Sequence, residues 1–365
     1  METTARTVGK LLSNGGRSWC GLSVKEADMR ALFRAGLVAV LLVGFAAAPA
    51  VAEGGQEEDA SARMAAIFPG SIQDADYNTL GYIALQEAGN AYDMDVAYSE
   101  KVAVPDAERV LREYAEAGYG IIWVHGAQFN GAATAIYADY PDTTFIIEVD
   151  DKPVAPVDNF WYIERNYYTG FYVLGALAAM KTETGVIGFI GGLELPFLTG
   201  EINAIYQALD DMDSDAELEY VFVGDFNDPV RARQAAEGLI AQGADILISA
   251  VNAGNFGIYT AVKEADRPVF ITTTYTDKYE QAPESFMTSE IFDFVTPVQT
   301  IVGNVLEGRK GGFLLLEYGP GKPRYTQLPI RNVSDEINEA ITELSLEVAA
   351  GEVKVEKNLT EIVPR

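Results

Sequence analysis

Short apolar runs alternate along the chain with longer stretches in which apolar residues recur every three or four positions. The short runs of the first half are rich in β-branched and aromatic residues and predict strands: MAAIF (64–68), VAYSEKV (96–102), GIIWV (120–124), TTFIIEV (143–149) and FWYIE (160–164). The stretches between them have helical spacing, as at Val110, Leu111 and Tyr114. Strands that alternate with helices predict a parallel α/β sheet covered on both faces.

The second half of the chain repeats this scheme. Its predicted strands are GVIGFIG (185–191), EYVFVG (219–224), ADILISA (244–250) and PVFITT (268–273). Residues 105–131 and 228–257 also resemble each other, because each passes from a helix-starting proline through a helix and a buried strand to a loop with Asn, Gly and Phe. Residues 53–365 exceed one usual core, so we expect two similar doubly wound lobes.

The N-terminal part has the layout of a secretory signal peptide. Residues 29–52 contain two arginines, an apolar run too short for a comfortable membrane span, and a final Ala-Val-Ala. We expect cleavage after Ala52, export to a periplasm, and translation from Met29, with residues 1–28 as an over-long gene start. Cys20, the single cysteine, falls in that segment, so the mature chain would have no disulfide or thiol chemistry.

The charge excludes one class of partner. Residues 1–52 hold six of the 26 Lys and Arg and three of the 54 Asp and Glu, so the remainder has 20 basic and 51 acidic residues, a net charge of about −31. Nucleic acids and anionic lipids are bound by clustered Lys and Arg, and such a chain repels them. We therefore expect a small-molecule ligand and no nucleic acid, with the acidic surface serving solubility.

Polar and aromatic residues follow five of the predicted strands. The loops are PGSIQDADYN (69–78), HGAQFN (125–130), GGLELPF (191–197), VNAGNF (251–256) and TYTDKYE (274–280). Ligands of parallel α/β sheets lie at the carboxyl ends of the strands, which predicts one cleft between the lobes. The candidate ligand contacts are Asp74, Tyr77, Asn78, His125, Phe129, Phe197, Asn252, Asn255, Thr274, Tyr275 and Asp277.

These candidates have alternative roles. Tyr77, Phe129 and Phe197 could clamp a flat heterocycle from opposite lobes, or each ring could simply pack within its own lobe. Asp76 would cap the helix that starts near residue 78, which leaves Asp74 as the acid for ligand contact. His125 could bind ligand or act as a base, or be a hydrogen-bonded structural residue.

Motifs for catalysis and metal binding are missing. The glycines of GFIGGLE (188–194) do not have dinucleotide-binding spacing, and neither a P-loop nor G-x-S-x-G occurs. One histidine and no cysteine after residue 52 cannot form a zinc cluster. DDMDSDAELEYVF (210–222) resembles a calcium loop, but Ala216 and Phe222 replace its Gly and Glu. We therefore expect no enzyme activity, no cofactor and no metal.

Four segments resemble the basic membrane protein family of ABC-transporter solute-binding proteins, whose characterised members bind purine nucleosides. They are PGSIQDADYNTLGYIAL (69–85), IERNYYTGFYVLGALAAMKTETGVIGFIGG (163–192), VFVGDFNDPVRARQAAEGLIAQGADILIS (221–249) and FMTSEIFDFVTPVQTIVGNVLEG (286–308). The resemblance covers roughly 64–355. It implies a type I periplasmic-binding fold, base stacking by Tyr77 beside Asn78, a second stacking ring at Phe197, and a glycine-rich loop at 252–257.

The resemblance also implies lobe boundaries and partners. The first lobe would comprise 64–164 plus about 291–318, and the second 165–290 plus about 319–365. The protein would act as a monomer and deliver its ligand to an ABC permease. The alternatives are an exported nucleoside hydrolase that uses Asp74, Asp76 and His125, and a sensory binding protein that presents the ligand to a receptor.

Two positions depart from the family pattern. The ribose-binding Asp of the family falls near Thr274, and its ribose-binding Lys falls at Ile291 or Phe292. A free nucleobase or a related aromatic metabolite is therefore an alternative ligand to a nucleoside.

Overall fold

The computed structural model describes residues 63–364, so the predicted signal peptide, the segment before it and Cys20 lie outside the described residues. The strands are β1 (Arg63–Ile67), β2 (Asp95–Ser99), β3 (Ile121–Val124), β4 (Thr144–Val149), β5 (Phe160–Glu164), β6 (Val186–Gly191), β7 (Glu217–Phe222), β8 (Ile246–Ala250), β9 (Phe270–Tyr275), β10 (Phe286–Phe292), β11 (Gly312–Leu315) and β12 (Arg324–Thr326). The α-helices are α1 (Tyr77–Tyr92), α2 (Ala107–Glu116), α3 (Asn130–Ile136), α4 (Tyr167–Lys181), α5 (Pro196–Asp211), α6 (Pro229–Ala241), α7 (Asn255–Glu264), α8 (Val295–Leu306) and α9 (Asp335–Ala350).

The strands form two six-stranded sheets with the same topology. The first has the order β11-β5-β4-β3-β1-β2 and the second β12-β10-β9-β8-β6-β7. All pairings are parallel except that of β12 with β10. Each sheet therefore has the doubly wound order, with a switch point between β1 and β3 or between β6 and β8, where the carboxyl ends leave a crevice. This confirms the predicted fold class, including all nine predicted strands.

The chain passes between the sheets three times. It crosses after β5 into α4, after β10 into α8, and between β11 and β12. We call the first sheet with α1, α2, α3 and α8 the first lobe, and the second sheet with the other helices the second lobe. The predicted residue boundaries of the lobes stay predictions, although β10, which ends at Phe292, pairs within the second sheet.

Helix α4 is buried along most of its length. Every residue from Gly170 to Ala178 is buried, and the helix packs against α5 and α9. A helix that is apolar on all sides is stable only when it is enclosed in this way. Across residues 63–364, no helix is both long enough and apolar enough to cross a membrane.

Candidate functional site

A cavity of about 240 Å³ lies where the strand ends of the two sheets meet. We call it the aromatic cavity, because its walls include Tyr77 of the first lobe and Tyr167, Phe197, Phe226 and Tyr275 of the second. Its polar lining is Gln128, Arg165, Asp225, Asn227 and Asn252. Of the eleven predicted contacts, Tyr77, Phe197, Asn252 and Tyr275 line this cavity.

Tyr77 starts α1 and is held on three sides. Its hydroxyl donates to Glu148 Oε2 at 2.5 Å, and one ring face stacks on His125 with centroids 3.8 Å apart. The ring of Tyr275 lies 5.3 Å away at 45°. Burial and the neighbouring Glu148 raise the pKa of Tyr77 well above its ordinary value, so the ring is a neutral phenol.

His125 lies behind Tyr77 and lines neither of the cavities described here. It is fully buried, with Nδ1 2.6 Å from Glu148 Oε1 and Nε2 3.0 Å from the Tyr77 carbonyl oxygen. Both ring nitrogens therefore already face protein atoms. This geometry matches the structural alternative for His125, in which the imidazole fixes the Tyr77 ring.

Arg165 connects the walls of the two lobes. It directly follows β5 and pairs with Asp150, and its Nη1 lies 3.6 Å from Glu148 Oε2. Its guanidinium also lies 4.6 Å from the centre of the Phe197 ring and 4.8 Å from that of Tyr167. Burial alone would raise the pKa of Glu148, but His125 and Arg165 outweigh burial and hold that pKa below its ordinary value.

The second-lobe wall is a stack of rings. Phe197 lies 4.9 Å from Tyr167 at 28° and 6.2 Å from Phe226 at 15°. Phe226 fits here because residue 192 is glycine: a Cβ at Gly192 would lie 2.2 Å from the Phe226 ring. Tyr275 completes the wall with its hydroxyl 3.0 Å from that of Tyr167, and it has a φ of 77°, a strained value for a large side chain.

The acid of the first loop that caps α1 is Asp74 and not Asp76. Asp74 lies before α1 and caps its N-terminus, because its carboxylate accepts from the backbone N–H groups of Asp76, Asn78 and Thr79 at 2.9–3.2 Å and from the Asn78 amide at 2.6 Å. Asp76 occupies the N-cap position but makes no capping hydrogen bond. The predicted capping by Asp76 is therefore wrong, and the ligand contact predicted for Asp74 involves a carboxylate whose oxygens already accept several hydrogen bonds.

Asp76 instead joins the two lobes. Lys278, which follows β9, donates to Asp76 Oδ1 at 2.7 Å, and both side chains are buried. Thr276 donates to the Ala75 carbonyl oxygen at 2.9 Å, and Asn255 approaches Asp76 Oδ2 at 3.4 Å. Burial raises the pKa of Asp76 to about 7, although the Lys278 ammonium lowers it in part.

A second cavity of about 420 Å³ lies at this bridge. We call it the polar cavity, because its lining includes Asp76, Asn255, Tyr259, Asp277 and Lys278. Asn252 lines both cavities, so the two adjoin. Three predicted contacts, Asp74, Asn255 and Asp277, lie here, and Asp277 is held by Arg331 at 3.1 Å.

The remaining predicted contacts line neither cavity. Phe129 is fully buried in the first-lobe core, while its neighbour Gln128 faces the aromatic cavity. Asn78 is buried and accepts from the Gly70 N–H at 3.0 Å, which fixes the loop before α1. Thr274 is buried within β9.

Sequence reasoning missed several lining residues, namely Arg165, Tyr167, Phe226, Tyr259 and Lys278. The first three follow directly after β5 and β7, so the strand-end rule applied to those two strands would have found them. Within residues 63–364, no group of His, Cys, Asp and Glu is arranged to hold a metal ion.

Comparison with known proteins gives this site a context. The family model of PnrA-like ABC transporter substrate-binding proteins (Bmp) matches residues 61–317. A Brucella abortus purine-binding protein is 22% identical over 266 residues, 71% of this chain and 72% of the relative. TsgA13 of Haloferax volcanii, named as an ABC transporter glucose-binding protein, is 24% identical over 315 residues, 83% of this chain and 76% of the relative.

Solved structures show the same architecture. An ABC transporter solute-binding protein from Aeropyrum pernix K1 matches with a TM-score of 0.70 at 18% identity, covering 82% of this chain and 94% of that one. A second, from Conexibacter woesei, has a TM-score of 0.62 at 22% identity, covering 82% and 99%. These likenesses concern the fold alone, and they confirm the predicted type I periplasmic-binding architecture. The chain belongs to the PnrA-like, or Bmp, family of ABC transporter substrate-binding proteins.

Proposed function

We propose that the protein is the periplasmic component of an ABC importer that binds a purine nucleoside or a related planar heterocycle and delivers it to a membrane permease. The observation that carries this proposal is the aromatic cavity, in which rings from both lobes face one space. Aromatic walls hold a flat ring system by offset stacking. Closure of the lobes would bring the walls together, and a permease would then recognise the closed form.

The dimensions and lining of the cavity favour a small planar ligand. Its volume of about 240 Å³ is below the range of roughly 300–1,000 Å³ that is typical of ligand pockets. The amides of Gln128, Asn227 and Asn252 line the space and supply the donors and acceptors that would read the edge of a heterocycle. The name of the Brucella relative is consistent with this class of ligand.

The arrangement of acids supports binding rather than hydrolysis. A hydrolase would need Asp74, Asp76 and His125 around one reacting bond. Asp74 instead holds the start of α1, Asp76 is paired with Lys278, and His125 lies behind the Tyr77 ring. None of the three lines the aromatic cavity.

The test is to identify the ligand directly. We would purify the chain from residue 53, record its native mass, and then release and identify any bound small molecule. Calorimetric titration with purine nucleosides, bases, flavins and glucose would follow. Recovery of an intact planar heterocycle is expected; failure of the whole heterocycle set to bind, or selective glucose binding, would overturn the proposal.

A matched pair of variants tests the role of the aromatic wall. Phe197→Leu keeps an apolar side chain but loses the stacking surface, so we expect affinity to fall about tenfold, the upper range for one aromatic contact. Tyr220→Leu is the control, because this exposed side chain on β7 lines neither cavity. Equal affinity of the two variants would contradict the stacking role.

A further inference from the structure

The segment after α9 runs back along helix α5 of the second lobe. We call residues 353–363 the strap; their backbone is irregular, and side chains of α5 hold it in place. Gln207 donates to the Lys354 carbonyl oxygen at 2.9 Å and accepts from the Glu356 N–H at 2.8 Å. Asn203, four residues earlier on the same face of the helix, holds the second half of the strap.

The hydrogen bonds of Asn203 replace those that a neighbouring strand would supply. Its amide donates to the carbonyl oxygens of Asn358 and Glu361 at 3.0 and 2.8 Å and accepts from the Val363 N–H at 2.8 Å. Chain segments outside regular secondary structure fray unless their backbone groups are bound in this way. The strap is therefore a fixed part of the second lobe.

Between these two anchors the strap lies behind the aromatic cavity. A Cβ at Gly200 would lie 2.7 Å from the Leu359 side chain, so glycine at this position lets Leu359 pack directly on α5. Leu359 lines a small void of about 10 Å³ together with Tyr167 and Phe197. Both rings also line the aromatic cavity, so the strap supports the wall of the proposed ligand site from behind.

One strap residue reaches the first lobe. Lys357 Nζ donates to Glu164 Oε1 at 2.5 Å and to Asp151 Oδ1 at 2.9 Å; Glu164 ends β5 and Asp151 lies between β4 and β5. The side chains of Lys357 and Glu164 are 20% and 9% exposed, so water and salt screen this pair less than an exposed pair. Burial alone would lower the pKa of Lys357, but the two carboxylates raise it above its ordinary value, and the ammonium stays charged.

We infer that the strap is a fourth connection between the lobes, and that Lys357 is a positioning residue whose ion pairs favour the closed arrangement. In that arrangement Lys278 of the second lobe meets Asp76 of the first. The three chain crossings are covalent, whereas this fourth connection breaks and forms again as the lobes move.

The strap then sets how much of the protein is ready to bind. A ligand held between the lobes is bound by the closed population, so its apparent affinity is proportional to the closed fraction. Loss of the Lys357 ion pairs lowers that fraction without changing any residue that lines the aromatic cavity. The coupling of the lobes is independent of the ligand, while its effect on affinity rests on the proposed function.

A matched pair of variants isolates the bridge. Lys357→Met and Lys354→Met each remove one ammonium from the strap and keep an unbranched apolar side chain. Lys354 is the control, because its ammonium lies 2.6 Å from Glu356 of the strap itself and is 81% exposed. Glu164→Gln removes the main partner of Lys357 from the first-lobe side, and combined with Lys357→Met it should add no further effect.

The arrangement of the lobes can be measured directly. The chain from residue 53 contains no cysteine, so two introduced cysteines accept one spin label each. Ala135→Cys on α3 and Gln234→Cys on α6 are exposed positions in the first and second lobe. Pulsed electron paramagnetic resonance then gives the distribution of distances between the lobes, with and without ligand.

Without ligand, Lys357→Met should move the distribution toward longer distances, while Lys354→Met matches the parent protein. Calorimetric affinity for adenosine, used as the probe, should fall up to about fivefold in Lys357→Met, the upper range for one partly exposed ion pair, and stay unchanged in Lys354→Met. Identical distance distributions in the two variants would overturn the inference. A lower thermal midpoint with unchanged distances would also overturn it, because the strap would then serve stability alone. If adenosine does not bind the parent protein, the nucleoside proposal fails, and the distances still decide the coupling.

Discussion

Replacement of Asp76 by Asn should remove a pH-dependent part of the stability. Burial and the nearby Asp74 raise the pKa of Asp76 and Lys278 lowers it, with a net rise from 3.8 to about 7. The folded protein therefore holds a proton that the unfolded chain has released between these values. Because its folded pKa is raised, the carboxyl stabilises the fold fully below pH 3.8, and this contribution is lost as pH rises through 7. A shift of about three units corresponds to on the order of 4 kcal/mol.

The assay is urea unfolding of wild type and Asp76→Asn at pH 4.5, 5.5, 6.5 and 7.5. The free energy of unfolding of wild type, relative to the variant, should fall by about 1 kcal/mol per pH unit over this range. Asp142→Asn is the control, because Lys310 lowers the pKa of that exposed carboxyl below 3.8, so the difference between wild type and this variant should stay nearly constant from pH 4.5 to 7.5. A difference between wild type and Asp76→Asn that stays constant or grows with pH would refute the reasoning.

Three further predictions concern packing and charge. Gly170→Ala should lower the free energy of unfolding by at least about 1–3 kcal/mol, because its Cβ would lie 2.0 Å from buried Glu290 Oε2. Gly238→Ala is the control in the same urea assay. It should be neutral or stabilising, because its Cβ would meet no atom within 4 Å. Glu148→Gln should cost about 3–5 kcal/mol by chemical denaturation, since buried Arg165 and His125 lose their carboxylate partner, and a loss below about 1 kcal/mol would contradict this. Phe129→Ala should cost about 3–5 kcal/mol, yet leave the Kd of the folded fraction unchanged by calorimetry; a tenfold weaker Kd would place the ring in the site.

The periodicity of apolar residues was sufficient to predict the regular part of the fold. Each of the nine predicted strands forms within a few residues of its expected ends, because a buried parallel strand needs a continuous apolar run. Strands β10, β11 and β12 were missed for physical reasons. In FMTSEIF three consecutive polar residues, Thr288 to Glu290, interrupt the apolar run, and β11 and β12 have only four and three residues. Such short edge strands depend on tertiary contacts rather than on local pattern.

The sequence predicted the position of the site but not the individual residues that line it. The strand-end rule located the correct loops, and Tyr77 and Phe197 line the aromatic cavity as the pattern indicated. The same rule does not show whether an aromatic side chain in a loop points into the cleft or into the core of its own lobe. Phe129 was therefore expected in the cleft, although it fills the first-lobe core. His125 was ambiguous because its partner Glu148 lies on another strand, 23 positions along the chain.

The capping of α1 by Asp74 and not by Asp76 has a general physical cause. Either acid fits a helix N-terminus by residue type, and capping preferences alone favour the residue next to the helix. Lys278, 202 positions away, favours the other arrangement, because its buried ammonium lies 2.7 Å from Asp76. The positive φ of Ala75 turns the loop so that the Asp74 carboxylate reaches the free N–H groups of the helix. Because Asp74 caps the helix, the carboxylate of Asp76 is available for another function. In this chain that acid pairs with Lys278 and bridges the lobes beside the aromatic cavity.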